Sequence, residues 1–290
     1  MERSVAVLVS VSTLLAAVAA LITVRQASGE QQLTRDGQVT DRYTAAVTNL
    51  GATSEEVRIG GLYALERIAE DSPRDVPSVV QVMAAYVRSH TVLAKKSPKE
   101  LKHPANDVAA ALFCLTAPLG TVVVDLHGSV LRGADLRGGT LHLADLTDAN
   151  LTDANLTSAD LTNANLSRAN LTRANLHDAD LSTALLDGAN LTETDLSGAN
   201  LTRASLAATT LTGLDLSSMD LSHADLRSAK LSNMDLSHAD LTGVDLTAAT
   251  LTDVDLTGAK MTDAVFFETT LQHVTGYTPP GPRSTDSGER

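Results

Sequence analysis

The chain has 290 residues, room for one or two domains, and 43% of them are apolar, which excludes a disordered chain. Aromatic residues make up only 2% and tryptophan is absent, so a core of Leu, Val and Ala in some regular array is expected rather than a compact enzyme domain. The single cysteine, Cys114, excludes internal disulfides and multi-cysteine metal clusters, and a net charge of −13 disfavours binding to a phosphate backbone.

Val5 to Val24 is an uncharged run, VAVLVSVSTLLAAVAALITV. At 1.5 Å per residue it spans roughly 30 Å, the thickness of a bilayer core. A cleaved signal peptide is the alternative, and Ala27-Ser28-Gly29 offers a small-residue site. The run exceeds the apolar core of about 7–15 residues usual in such peptides, and Arg25 interrupts the approach to that site. Residues 1–29 are therefore read as a membrane anchor. Arg3 precedes the span, and Arg25, Arg35 and Arg42 follow it. The positive-inside rule then sets the C-terminal body in the cytoplasm of a single-pass cell-membrane protein. An unpaired Cys114 is compatible with a reducing compartment. Ser12, Ala16 and Ala20 form a small-residue stripe; whether it pairs two helices or is ordinary composition stays open.

Residues 30–120 read as a small α-helical juxtamembrane region. Asp41 is the expected cap of DRYTAAVTNLG, which ends at Gly51. Thr53 and Glu56 have capping-box spacing, and Val57, Leu62, Leu65, Ile68 and Ala69 follow at helical spacing. Pro77 suits the first turn of a third helix, with Val79, Val80, Met83, Tyr86 and Val87 on its apolar side. Lys95, Lys96, Lys99 and Lys102 form a basic connector broken by Pro98, and Asn106 is the expected cap of DVAAALFCL. These helices serve as spacer and end cap, or as a partner-binding surface.

From residue 126 a large apolar residue recurs every five positions up to Leu271, thirty times without a slip. Twenty-eight of the thirty are Leu; the others are Met261 and Phe266. Two places before each stands a small residue, Ala in 19 cases, and one place before stands Asp or Asn in 20. Ser or Thr usually follows, giving the consensus A-(D/N)-L-(T/S)-x. A period of five fits neither an α-helix nor an ordinary strand. It fits a short extended segment followed by a tight corner, so that four units close a square coil. Leu and the small residue then point inward, and Asp, Asn, Ser and Thr suit the corners because their side chains bond nearby backbone.

This pattern resembles the pentapeptide-repeat family. The resemblance implies a mainly β architecture, a right-handed quadrilateral β-helix over residues 121–275, followed by a disordered tail at 276–290. The stretches QVTDRYTAAVTNLG and VRIGGLYALERIAEDSPRD further resemble the juxtamembrane region of bacterial membrane-anchored members, which implies an architecture and no known activity. Thirty units at four per coil give 7.5 coils, and at roughly 4.8 Å per coil the rod is about 36 Å long. One face departs from small inward residues in order: Ala134, Ala154, Ala174, Thr194, Leu214, Met234, Val254. The interior is expected to widen or the corner geometry to change from about the fourth coil. The helix at 106–115 can cover the N-terminal end. At the other end Val265, Phe266 and Phe267 are the candidate contact: Val265 and Phe267 stand at outward positions, and either pack under a folded-back 272–280 segment or join two chains end to end.

No phosphate loop, nucleophile elbow, zinc spacing or EF-hand pattern is present, and no two histidines of the rod stand 20 apart. No catalytic, metal or cofactor site is expected. What stands out is acid. Asp125 to Thr275 hold 21 acidic and 8 basic residues, the whole net charge of the chain. On one face Asp195, Asp215, Asp235 and Asp255 stack, each neighbouring pair repelling by about 0.9 kcal/mol in water. Asn would serve those corners equally well, so the stack is either a solubility device or a candidate acidic interaction face. Net charge along the rod is about 60% of the density of B-DNA. Fluoroquinolone-resistance members of the family resemble DNA in shape and charge and bind DNA gyrase; this chain adds an anchor and a helical region that they lack. The expected function is a non-enzymatic, membrane-anchored scaffold whose acidic rod binds an unknown protein, with no direct nucleic-acid binding. A DNA mimic acting on gyrase or another topoisomerase and a purely structural or oligomerising module are the alternatives.

Overall fold

The computed structural model describes residues 38–92, 103–118 and 122–277. The Val5–Val24 run, the Lys95–Lys102 connector and the tail beyond 277 lie outside the described residues. Among the described residues no helix is long and apolar enough to cross a membrane.

Four helices come first: α1 (38–50), α2 (Glu55–Asp71), α3 (Val76–Val92) and α4 (Asn106–Leu115). Leu62, Leu65, Ile68, Val79, Val80, Met83, Val87, Ala111, Leu112 and Leu115 form their shared core, as the helical spacing predicts, whereas Val57 is 41% exposed. At Gly61 a Cβ would stand 2.9 Å from the Ala46 carbonyl oxygen, so glycine permits the close crossing of α1 and α2.

All three expected caps are corrected. Asp41 lies inside α1, which already runs from 38, with Thr44 donating back to the Thr40 carbonyl. The cap of α2 is Ser54, not Thr53: Ser54 Oγ accepts from Val57 N–H at 3.4 Å, and Arg58 takes the Thr53 carbonyl at 2.9 Å. Asn106 is the first residue of α4 rather than its cap, and Ala105 before it makes no side-chain cap bond.

The rod follows. Backbone rungs join residues 20 apart, all parallel, from Asp125↔Asp145 to Asp255↔Thr275. Four pentapeptides therefore make one coil, and the β-helix expected from the repeat is present. Every repeat Leu from Leu126 to Leu256 is at most 2% exposed.

Most corners close through a bond such as Ala134 N–H to the Leu131 carbonyl at 3.0 Å. The second residue after the repeat Leu has positive φ, between 50° and 73°, in all thirty units: 22 non-glycine residues and 8 glycines. An i to i+3 bond with positive φ at i+2 is the signature of a type II turn. The residue before Leu finishes the corner with its side chain, Asn150 Oδ1 accepting from Thr152 N–H at 3.1 Å and Asp145 Oδ1 from Thr147 N–H at 3.0 Å.

The expected change of corner geometry occurs where the inward residues enlarge. At Thr194 the turn bond is stretched to 3.3 Å. Beyond it the face forms a four-stranded parallel sheet, β1 (Thr210–Thr212), β2 (Lys230–Asp235), β3 (Thr250–Asp255) and β4 (Thr270–Gln272). Pairing there runs through the corner, joining Met234 to Val254 and Asp235 to Asp255.

Both ends are covered to different degrees. At the N-terminal end Thr116, just after α4, accepts from Thr140 N–H at 2.9 Å, and Arg88 of α3 donates to the Asp125 carbonyl. A Cβ on Gly139 would meet Thr116 Cβ at 2.9 Å, so glycine lets the cap sit flush on the first coil. At the C-terminal end Tyr277 covers Phe266, ring centroids 4.8 Å apart. Val265 and Phe267 are 43% and 64% exposed, and residues 278–280 of the segment expected to return over them lie outside the described residues.

Candidate interaction face

The square coil gives four faces, labelled A to D in chain order from the one bearing Asp135. The residue before each Leu projects outward, so face A carries Asp135, Asn155, Asn175, Asp195, Asp215, Asp235 and Asp255 in a column. Rungs place Asp215 beside Asp235 and Asp235 beside Asp255, and Asp195 beside Asn175. Each of the four predicted carboxylates accepts a backbone bond from two residues on: Ser197 at 3.0 Å, Ser217 at 3.0 Å, Ser237 at 2.8 Å and Thr257 at 2.8 Å. The Ser197 hydroxyl, then its N–H, holds Asp195 below the usual carboxylate range; Ser217 does the same for Asp215, and Thr257 for Asp255. These groups are ionised at neutral pH.

Acid is not confined to face A, and sequence reasoning missed this. Face B carries Asp220 and Asp240, and face C carries Asp225 and Asp245, at the same height. Cations pair some carboxylates on each of these faces: on face A Arg137 holds Asp135 at 2.7 Å, at the far end of the column from the four predicted carboxylates. Lys260 Nζ stands 2.9 Å from Asp240, and Arg227 clamps Asp225 at 2.5 Å and reaches Asp245 at 4.0 Å. Corner residues pair likewise across one coil, Arg168 with Asp148 at 2.7 Å and Arg173 with Asp153 at 2.8 Å. Among the described residues no Lys or Arg pairs with Asp195, Asp215, Asp235 or Asp255. The 20-residue offset between partners was the available signal, since Arg168 lies 20 after Asp148 and Lys260 lies 20 after Asp240.

Two further groupings were not predicted. Arg58, Tyr86 and Asp107 meet between α2, α3 and α4: Tyr86 OH donates to Asp107 Oδ2 at 2.6 Å and Arg58 Nε to the same oxygen at 2.7 Å. Burial pushes the Asp107 carboxyl up, but those two donors outweigh it and hold it below its ordinary value. Burial, then Asp107, pushes Tyr86 up to about 12. Separately, Asp125, His127 and Asp145 bring ligand-type atoms within 4.8 Å of one another. Arg88 already stands 2.9 Å from Asp125, so a guanidinium fills the cation's place there.

The pentapeptide-repeat family model matches the chain in eight copies, over residues 124–148, 149–188, 184–222, 220–258, 229–267 and 245–274. The chain belongs to the pentapeptide-repeat family, the class its coil length and turns define. No curated protein matches significantly in sequence. Among solved structures it is similar to HetL, a pentapeptide-repeat protein involved in heterocyst differentiation regulation in the cyanobacterium Nostoc sp. strain PCC 7120. That match has 31% identity and a TM-score of 0.29, covering 53% of this chain and 78% of HetL. It is also similar to trypsin-treated QnrB1, a plasmid-mediated fluoroquinolone resistance protein, with 22% identity and a TM-score of 0.42 over 52% of this chain and 81% of QnrB1. A thylakoid-lumen member from Arabidopsis thaliana matches at 29% identity and a TM-score of 0.22, over 36% of this chain and 63% of its own.

Proposed function

We propose that the protein is a membrane-anchored interaction module in which the rod offers face A to a basic protein surface. The observation that supports this most is the run of four carboxylates in one column without a Lys or Arg partner, on a rod where Asp135, Asp225 and Asp240 each have one. A partner's Lys and Arg side chains would supply the missing charges, and exposed pairs of this kind are screened over about 8 Å at physiological ionic strength. Anchoring rests on Val5–Val24, and a cytoplasmic body on the arginines that follow it. A cytoplasm-only fluorescent reporter fused after Arg290 should glow in the membrane fraction; activity of an outside-only reporter there would overturn the orientation.

The test of the face is capture from membranes of the producing cell by the full chain and by a variant with Asp195→Asn, Asp215→Asn, Asp235→Asn and Asp255→Asn. The change keeps the corner acceptors, as Asn175 shows with its 2.9 Å bond from His177 N–H. A specific protein held by the wild type, released by salt and absent from the variant is expected. Equal capture by both would refute the charge mechanism. Inhibition of gyrase supercoiling by the wild type and not by the variant would instead favour the DNA-mimic reading.

A second reading concerns self-association. Val265 and Phe267 leave apolar surface at the C-terminal end beside the part-buried Met261, Phe266 and Leu271. A second copy meeting it end to end would bury that surface. Light scattering of the full chain should then give a dimer that Phe267→Ser converts to monomer; a wild-type monomer would end this reading.

A further inference from the structure

Leu214 and Met219 stand at two consecutive inward positions, with Thr209 just before them, where Ala is the rule. The coil below presents Thr194 and Ala199 to them. The interior cross-section therefore steps from small to large across this one junction. Rungs fail at that step and only there among the described residues: neither Asp195 and Asp215 on face A nor Asn200 and Asp220 on face B are paired. The amides of Leu196, Gly198, Leu201, Asp215 and Asp220 lack the backbone acceptors that their equivalents one coil away possess, such as Leu176 N–H to the Asp195 carbonyl at 2.7 Å and Leu221 N–H to the Asp240 carbonyl at 2.9 Å. Faces C and D stay joined through Ser205↔Asp225, Asn190↔Thr210 and Thr210↔Lys230, and the gap is bounded by the bonds of Glu193 N–H to the Thr212 carbonyl at 3.1 Å and Arg203 N–H to the Ser222 carbonyl at 3.2 Å. Solvent reaches the step: Ala199 is 6% and Met219 9% exposed, against 0–1% for the inward alanines of the coils below.

From this we infer that the rod is two rigid blocks joined by a built-in flexure. It bends about faces C and D and opens between coils on faces A and B. The side chains of Leu214 and Met219 are the wedge that holds it open, and the like charges of Asp195 and Asp215 face each other across the opening. The flexure divides the carboxylate column, separating Asp195 from the continuous run Asp215–Asp235–Asp255. Its existence rests on the rungs alone and does not require that face A bind a partner.

Hydrogen exchange on the purified full chain tests it. The amides of Leu196, Leu201, Asp215 and Asp220 should exchange at least about tenfold faster than those of Leu176, Leu181, Leu221 and Asp235, since they lack a hydrogen bond that the others make. Changing both Leu214→Ala and Met219→Ala removes the wedge and should slow exchange at those four amides while leaving Asp225 and Thr210 unchanged. Exchange in the wild type as slow at face A and B rungs as at face C and D rungs would overturn the flexure, whatever the variant does. Capture lost in the four-Asn variant with uniform exchange would keep the interaction face and reject the flexure; the reverse result would keep only the flexure.

Discussion

A side chain held at positive φ costs roughly 1–2 kcal/mol relative to the right-handed region. The rod carries that cost at 22 positions, occupied by Leu, Asp, Arg, Thr, His, Ala, Ser, Asn and Glu alike. The neighbouring bonds make it tolerable, since most corners gain a turn bond and a rung to the next coil, and nearly all bury a Leu. Leu143, at φ 61° and 39% exposed, carries that cost on a side chain outside the Leu ladder. Leu143→Gly should therefore raise stability in urea denaturation by about 0.5–1 kcal/mol, the left-handed cost less the extra entropy of glycine. Inward positions behave oppositely. Leu176, fully buried, should lose about 2–5 kcal/mol on change to Ala, because the coil cannot collapse into the cavity. A loss at Leu143 as large as that at Leu176 would contradict the assignment of inward and outward positions.

At the scale of elements, the helical cap depends on one buried ion pair. Asp107 is 2% exposed and holds Arg58 and Tyr86, tying α4 to α2 and α3. Arg58→Ala leaves that carboxylate with Tyr86 and the Val108 N–H but no cation, and should destabilise the cap, read as an earlier loss of helical circular dichroism on heating; unchanged melting would contradict the clamp. In the rod, acid is the destabilising condition. Asp240 is lowered to about 2, first by the Thr242 hydroxyl and then by Lys260, and Asp195, Asp215 and Asp255 shift in the same direction. A carboxyl whose folded value lies below its unfolded value stabilises above about pH 4, and that contribution is lost as pH falls toward about 2. Urea midpoints should drop over that window, and Thr242→Ala should flatten the drop. Much of this was readable in the residues: the unbroken five-residue period set the Leu and Ala positions, and the run Thr194, Leu214, Met234, Val254 marked the corner that changes. The caps were not readable, because a tertiary contact decided them. Arg58 takes the Thr53 carbonyl, and Asp107 turns inward toward Arg58 and Tyr86. The left-handed position was hidden because no residue type marks it, and the cation pairing of faces B and C shows only once residues 20 apart are known to be neighbours.

For the whole molecule, charge and shape belong together. The coil turns a one-dimensional repeat into four columns, and ion pairs hold single carboxylates on three of them, Asp135 on face A, Asp240 on face B and Asp225 on face C, while Asp195, Asp215, Asp235 and Asp255 keep no Lys or Arg partner among the described residues. Repulsion of about 0.9 kcal/mol per stacked pair in water is a modest cost, and a bound cationic surface would reverse its sign. Carboxyl footprinting tests this account most directly, with the full chain labelled both in membranes of the producing cell and after purification. The proposed partner would cover the four face A carboxylates, which should then react several-fold more slowly in the membranes, while the ion-paired Asp225 and Asp240 should react alike in both. Equal reactivity of Asp195, Asp215, Asp235 and Asp255 in the two preparations would contradict the claim that this face is occupied.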